Sequence, residues 1–310
     1  MFHFPTNLPL APAPESVSTA PGTVTETPLG LRIEGHGPAI VLLHSSMGSK
    51  SQWRTLMERM RATHRLIAID LHGYGDAAMP ERPNRFSLTD EVRLVQSKLA
   101  QVLAQDERYH LVGHSFGGGV ALRLAHADLK RIRSLCLYEP TAFHLLDRND
   151  HALQEVRAVA RATEAAVCSG QHIDATEMFI DYWSGTGTYA ALPPSRQALF
   201  AALLPKVPLD FQALINDPLH AFDYRRIGAP SCLITGRASP DCAHAVATVL
   251  AAALPDSETH RIDAGHMGPL THPAVVNPVI DEFIRRIDAR DKKIGSCRFA
   301  PEAIAMRAAQ

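Results

Sequence analysis

Gly113-His114-Ser115-Phe116-Gly117 places a serine where an apolar run, Tyr109-His110-Leu111-Val112, gives way to a helical pattern starting at Gly118. At such a strand-to-helix corner the serine must take a strained, exposed turn. Glycines two residues before and two after remove the side chains that would collide there. This is the spacing of a nucleophile elbow, whose hydroxyl stands clear of the sheet and can attack an electrophilic carbon. A serine hydroxyl needs a base to activate it and a third group to orient that base. The chain has sixteen histidines. His266, in Ala264-Gly265-His266-Met267-Gly268, is the expected base: it follows the last strand-like run, downstream of the serine and of every candidate carboxylate.

The elements that must hold these residues alternate along the chain. Ala39–His44, Leu66–Asp70, Tyr109–Val112, Leu135–Tyr138, Ser231–Thr235 and Thr259–Ile262 read as strands, with Leu29–Glu34 as an edge strand. Between them Ser51–Ala62, Leu88–Ala104, Gly118–Ala127, Ala243–Ala253 and Ala274–Ile287 have helical periodicity. Alternation of this kind predicts an α/β fold, a mostly parallel, doubly wound sheet covered on both faces. It breaks once, over 141–226. There Ala152–Cys168 and Asp174–Trp183 look helical, Gly185, Gly187, Pro193 and Pro194 read as breaks, and no strand pattern occurs. The expected organisation is a core of 26–140 and 227–289 with an inserted helical cap, 141–226. Residues 1–25 are expected as a loosely ordered extension and 290–310 as a tail.

The composition narrows the function classes. A net charge of -1 with Lys and Arg spread along the chain leaves no basic face for nucleic acid. The five cysteines are an odd number without C-x-x-C spacing, which predicts reduced thiols in a reducing compartment. The first twenty residues are broken by Pro5, Pro9, Pro12 and Pro14 and carry no basic cluster, unlike a secretory leader, and no later apolar run is expected to approach membrane-spanning length. The expected location is therefore cytoplasmic, with a small-molecule substrate as partner and neither nucleic acid nor membrane. Oligomeric state cannot be read from the chain. With no phosphate loop, metal-ligand spacing or dinucleotide fingerprint, neither cofactor nor metal is expected.

From Leu29 to Ile287 the chain resembles the α/β-hydrolase fold family. The resemblance is carried by the strand ending in His44, by Asp70-Leu71-His72-Gly73-Tyr74-Gly75, by the elbow around Ser115 and by Gly265-His266. It implies a Ser-His-acid triad and an oxyanion hole of backbone amides, by position those of Ser46 and Phe116. His44-Ser45-Ser46-Met47-Gly48 stands where most members have His-Gly; His44 is expected to brace the loop. The family's aspartate after the penultimate strand is replaced by Ser239. Two carboxylates remain: Asp241, which also suits a helix N-cap, and Glu139. Glu139 ends the strand after the elbow helix and is expected in extended geometry before Pro140. Some relatives take their acid from that strand, and Glu139 is favoured. His114, Phe143, Trp183 and Met267 are expected to contact substrate, and the sparse charge around the cap aromatics predicts a mainly apolar pocket. The resemblance implies a cofactor-free serine hydrolase of the esterase type, acting on a small carboxylic ester or related acyl compound. Its alternatives are carbon–carbon bond or perhydrolase chemistry at the same site, or a non-enzymatic receptor for a small molecule.

Overall fold

The strand-like runs fold as β1 (Leu31–Glu34), β2 (Ala39–Leu43), β3 (Arg65–Ile69), β4 (Tyr109–His114), β5 (Ile132–Tyr138), β6 (Ser231–Gly236) and β7 (Ser257–Ile262) in a computed structural model, which describes residues 29–298. One sheet results, ordered β1-β3-β2-β4-β5-β6-β7, with β1 antiparallel to β3 and every other pair parallel. The central strands β2 and β4 are buried along their whole length, as apolar runs covered on both faces must be. The outer strand β7 alternates between exposed and half-buried polar residues, which suits a sheet edge.

Helices α1 (Arg54–Met60), α2 (Leu88–Leu99) and α3 (Phe116–Ala127) fill the crossovers before β5. Five helices then follow without an intervening strand: α4 (His151–Cys168), α5 (His172–Ser184), α6 (Pro194–Leu203), α7 (Val207–Ile215) and α8 (Ala221–Tyr224). The chain closes with α9 (Asp241–Ala253), α10 (Gly268–Thr271) and α11 (Pro273–Arg298). Residues of α2, α3 and α9 bury their apolar stripes on one face of the sheet together with α4, α5 and α7, while α1 and α11 cover the other.

Gly185, Gly187, Pro193 and Pro194 separate α5, which ends at Ser184, from α6, which opens at Pro194, where a proline's missing N–H costs nothing because first-turn amides have no partner within the helix. Two expectations need correction. The helix over 274–287 continues to Arg298, so the tail expected from 290 is helical that far. Finally, Pro194–Ile215 is a helical stretch of 22 residues with mean hydropathy 1.5, apolar and long enough to span a membrane by composition alone. Its Leu204, Val207, Phe211 and Leu214 are buried in the protein core, which accounts for the apolarity. The expected extension, 1–25, and the rest of the tail, 299–310, lie outside the described residues.

Candidate active site

Ser115 sits between β4 and α3 at φ +54° and ψ −120°, a conformation that costs a residue with a side chain on the order of 1–3 kcal/mol. The flanking glycines explain how the chain tolerates it. A Cβ on Gly113 would lie 2.5 Å from the Gly117 carbonyl oxygen, and one on Gly117 would lie 2.3 Å from that of His44. Among the described residues, the other non-glycines with positive φ are Met47 and Glu139. All three lie at the carboxyl ends of strands β2, β4 and β5, so backbone strain gathers at one place.

Into that place the loop after β7 brings His266, 2% exposed. Its Nδ1 is 2.7 Å from Glu139 Oε2, and its Nε2 is 2.9 Å from Ser115 Oγ. An ionised carboxylate only accepts, so Nδ1 carries the proton and the lone pair on Nε2 faces the serine hydroxyl. Glu139 is fully buried, and its other oxygen accepts from the Gly236 amide at 2.5 Å and from the Ser239 hydroxyl at 2.5 Å. Thus the serine standing at the position of the family's usual aspartate donates to Glu139. Asp241 is exposed on the first turn of α9, whose N-cap is Pro240, so Asp241 is not the expected cap. Glu139 itself is left-handed, at φ +44°, rather than extended. A following proline disfavours the right-handed helical region but leaves the left-handed one open. Hydrogen bonds from the Glu139 amide to Ile234 O (3.0 Å) and from the Thr141 amide to Ser115 O (3.2 Å) hold this turn.

The loop after β2 is held from three sides. His44 donates through Nδ1 to Ser45 O at 2.7 Å and accepts the Leu71 amide on Nε2 at 3.0 Å, and burial holds its pKa down to about 4, so it braces the loop as a neutral ring. Ser45 donates both its amide and its hydroxyl to Gln52 Oε1, at 3.1 and 3.0 Å. The Ser46 hydroxyl donates to Asp210 Oδ2 at 2.6 Å. Among the described residues no hydrogen bond occupies the backbone amides of Ser46 or Phe116. Phe116 opens α3, whose positive dipole end faces the serine.

Asp210 belongs to a buried polar cluster that the sequence reading missed. Its Oδ2 also accepts from Tyr74 Oη at 2.6 Å, its Oδ1 accepts from the Lys206 ammonium, and Lys206 Nζ lies 3.4 Å from Glu91 Oε1. The ammonium sits 4.7 Å from the centre of the Phe116 ring and 4.3 Å from that of Phe86. Burial outweighs Lys206 and pushes the Glu91 carboxyl up to about 7. A signal was available: Lys206 and Asp210 are one helical turn apart in an otherwise apolar stretch, where paired charges are expensive to bury unless they do something.

The cleft above Ser115 is aromatic. The Trp183 ring lies 4.1 Å from the His266 ring, tilted by 31°, and stacks at 6.4 Å on Phe143, which stacks in turn on Phe211. One cavity of about 90 Å³ runs from Ser115 between Phe179, Leu192, Phe200 and Met267; a wider groove of about 350 Å³ reaches His266 past Tyr182 and His272. Phe143, Trp183 and Met267 line the cleft, but His114, expected beside them, does not. It is fully buried behind the imidazole, donating from Nε2 to His266 O at 2.8 Å, because the strand alternation that turns Ser115 outward turns its neighbour inward. His114 fixes the histidine loop instead. Among the described residues a trio of metal-type donors, Cys232, Glu258 and His260, has ligand atoms within 4.8 Å of one another. It spans β6 and β7, so sequence spacing could not reveal it, and Arg286 already pairs with Glu258 at 2.6 and 2.7 Å.

Comparison with known proteins agrees with this architecture. The chain is 27% identical over 265 residues to a protein of Azorhizobium caulinodans named "Putative carbamate hydrolase RutD", covering 83% of this chain and 94% of that one. Among solved structures it is similar to an alpha/beta hydrolase from Sphaerobacter thermophilus (TM-score 0.61, 21% identity, 83% of this chain and 96% of that one). It is also similar to a meta-cleavage product hydrolase from Pseudomonas fluorescens (TM-score 0.63, 18% identity, 83% and 93%). A model of the alpha/beta hydrolase family matches residues 40–279, the span that carries the parallel strands from Ile40 in β2 to β7, the elbow, Glu139 and His266, and the chain belongs to that family.

Proposed function

We propose that the protein is a cofactor-free serine hydrolase that cleaves a small, mainly apolar carboxylic ester or related acyl compound through an acyl-enzyme. The observation that carries this reading is the continuous relay from Ser115 Oγ through His266 to the buried Glu139 carboxylate, at 2.9 and 2.7 Å. His266 Nε2 takes the hydroxyl proton as Ser115 Oγ bonds to the substrate carbonyl carbon. Glu139 stabilises the imidazolium that results. The amides of Ser46 and Phe116 donate to the oxyanion as it forms. Collapse of the tetrahedral adduct expels the alcohol, which receives the proton from His266. Water, deprotonated by the same nitrogen, then attacks the ester carbon of the acyl-enzyme and frees the acid and Ser115. The aromatic cleft supports an uncharged substrate, since Trp183, Phe143, Phe179 and Phe211 stand over the serine and the carboxylate that lines the same niche, Asp210, is paired with Lys206.

A carbamate is an acyl compound that the same steps would cleave, and the name of the Azorhizobium relative makes carbamates the next substrates to try. The buried, free thiols of Cys136, Cys232 and Cys242 support work in a reducing compartment, the cytoplasm. The test is hydrolysis of a short-chain nitrophenyl ester by purified protein with a chelator present. Turnover should proceed, and Ser115→Ala should lower it by about a thousandfold or more. Wild-type turnover in Ser115→Ala would remove the nucleophile assignment, and no turnover of any activated ester would favour the receptor reading.

A further inference from the structure

The aromatic cleft is interrupted at one point, where Thr141 and Asp210 meet Ser115 around a niche of about 20 Å³. Thr141 is 4% exposed, and its hydroxyl has no hydrogen-bond partner. A buried hydroxyl in that state is destabilising, and valine would fill the same volume without the penalty. Its position is not accidental to the site, because the Thr141 amide donates to Ser115 O at 3.2 Å and so ties this side chain to the nucleophile's backbone. Across the niche Asp210 accepts from Ser46, Tyr74 and Lys206. A carboxylate has about four acceptor positions, so one remains. Lys206 balances the Asp210 charge, which removes any preference for a charged ligand. The niche has room for one small group, and because Ser115 lines it, that group must be attached close to the carbon under attack.

We propose that Thr141 and Asp210 form a polar subsite for a neutral hydrogen-bonding substituent, a hydroxyl or an N–H, carried on the atom next to the scissile carbonyl carbon. A hydroxyl donates its single proton to Asp210 and accepts from Thr141 Oγ1, whereas a carbamate NH2 donates one proton to Asp210 and the other to Thr141 Oγ1. Substrates of this class are 2-hydroxyacyl esters and carbamates with an unsubstituted NH2, and the proposal rests on the acyl-hydrolase reading above.

The test compares nitrophenyl esters of 2-hydroxypropanoic and 2-methylpropanoic acids, which differ by a hydroxyl in place of a methyl group. Each kcat/KM is divided by the ester's rate of hydrolysis in alkali, to remove intrinsic reactivity. The wild-type protein should prefer the hydroxy ester by about tenfold, the value of one satisfied hydrogen bond. Thr141→Val should abolish that preference and Thr141→Ser should keep it. An equal preference in wild type and Thr141→Val, or none in wild type, overturns the subsite. If neither ester is turned over, the hydrolase reading fails on its own, and NMR titration of both ethyl esters into Ser115→Ala decides the subsite. Tighter binding of the hydroxy ester, lost in Ser115→Ala with Thr141→Val, upholds it; equal binding refutes it.

Discussion

Replacing Glu139 by glutamine keeps the side chain's shape and removes its charge, and the contacts around it show why the loss should be large. Three donors converge on this carboxylate: His266 Nδ1 at 2.7 Å, the Gly236 amide at 2.5 Å and the Ser239 hydroxyl at 2.5 Å. An amide has one oxygen for the two sites that the carboxylate serves. Turned toward His266, the oxygen preserves the tautomer but sets the glutamine NH2 against the fixed Gly236 N–H. Turned toward Gly236, it sets the NH2 against His266 Nδ1, so the ring must carry its proton on Nε2 and has no lone pair for Ser115. Both orientations also leave the imidazolium of the transition state without a counter-charge. In a serine protease triad the corresponding change lowers kcat about ten-thousandfold, equivalent to about 5.5 kcal/mol of barrier. Glu139→Gln is expected to lose kcat on a nitrophenyl ester by that order while keeping a cooperative thermal transition by circular dichroism. Asp241→Asn, an exposed site on α9, should stay within about twofold of wild type. More than a tenth of wild-type kcat in a folded Glu139→Gln protein, or a large loss in Asp241→Asn, would refute the assignment of the acid.

Two further outcomes follow from the cleft and the buried cluster. Trp183→Ala should shift chain-length preference among nitrophenyl esters by roughly tenfold or more, since each methylene in an apolar pocket is worth about 1–3 kcal/mol of discrimination; equal loss at every chain length would mean that the indole only packs on His266. Glu91, pushed up to about 7 in the folded protein, is protonated in both folded and unfolded chains below its ordinary range near 4.5, so its stabilising contribution is complete at low pH and is lost as pH rises through about 7. Glu91→Gln should therefore gain thermal stability relative to wild type between pH 5 and pH 8, and a difference in Tm that stays constant across that window would show that Glu91 does not titrate there.

Much of the site was legible because local steric rules are written in short spans of sequence. Gly113-x-Ser115-x-Gly117 between an apolar run and a helical pattern can be accommodated by few backbones, and the apolar runs of β2 and β4 can be buried only in a sheet covered on both faces. That His266 meets Ser115 follows from its place after the last strand, since the sheet brings strand ends together wherever they fall in the chain. The partner of His266 was less legible: Glu139 and Asp241 both sit where a carboxylate could reach, and only the left-handed turn at Glu139 and the start of α9 at Asp241 decide which points at His266. His114 shows the opposite limit, a residue inside the elbow motif that the fold turns away from the cleft to hold the histidine loop. The Glu91–Lys206–Asp210–Ser46 cluster and the orphaned Thr141 hydroxyl depend on contacts between segments far apart in sequence, such as Ser46 with Asp210. Periodicity tells which face of an element is apolar. Which polar groups are shut in together, and whether each finds a partner, depends on the packing of several elements at once.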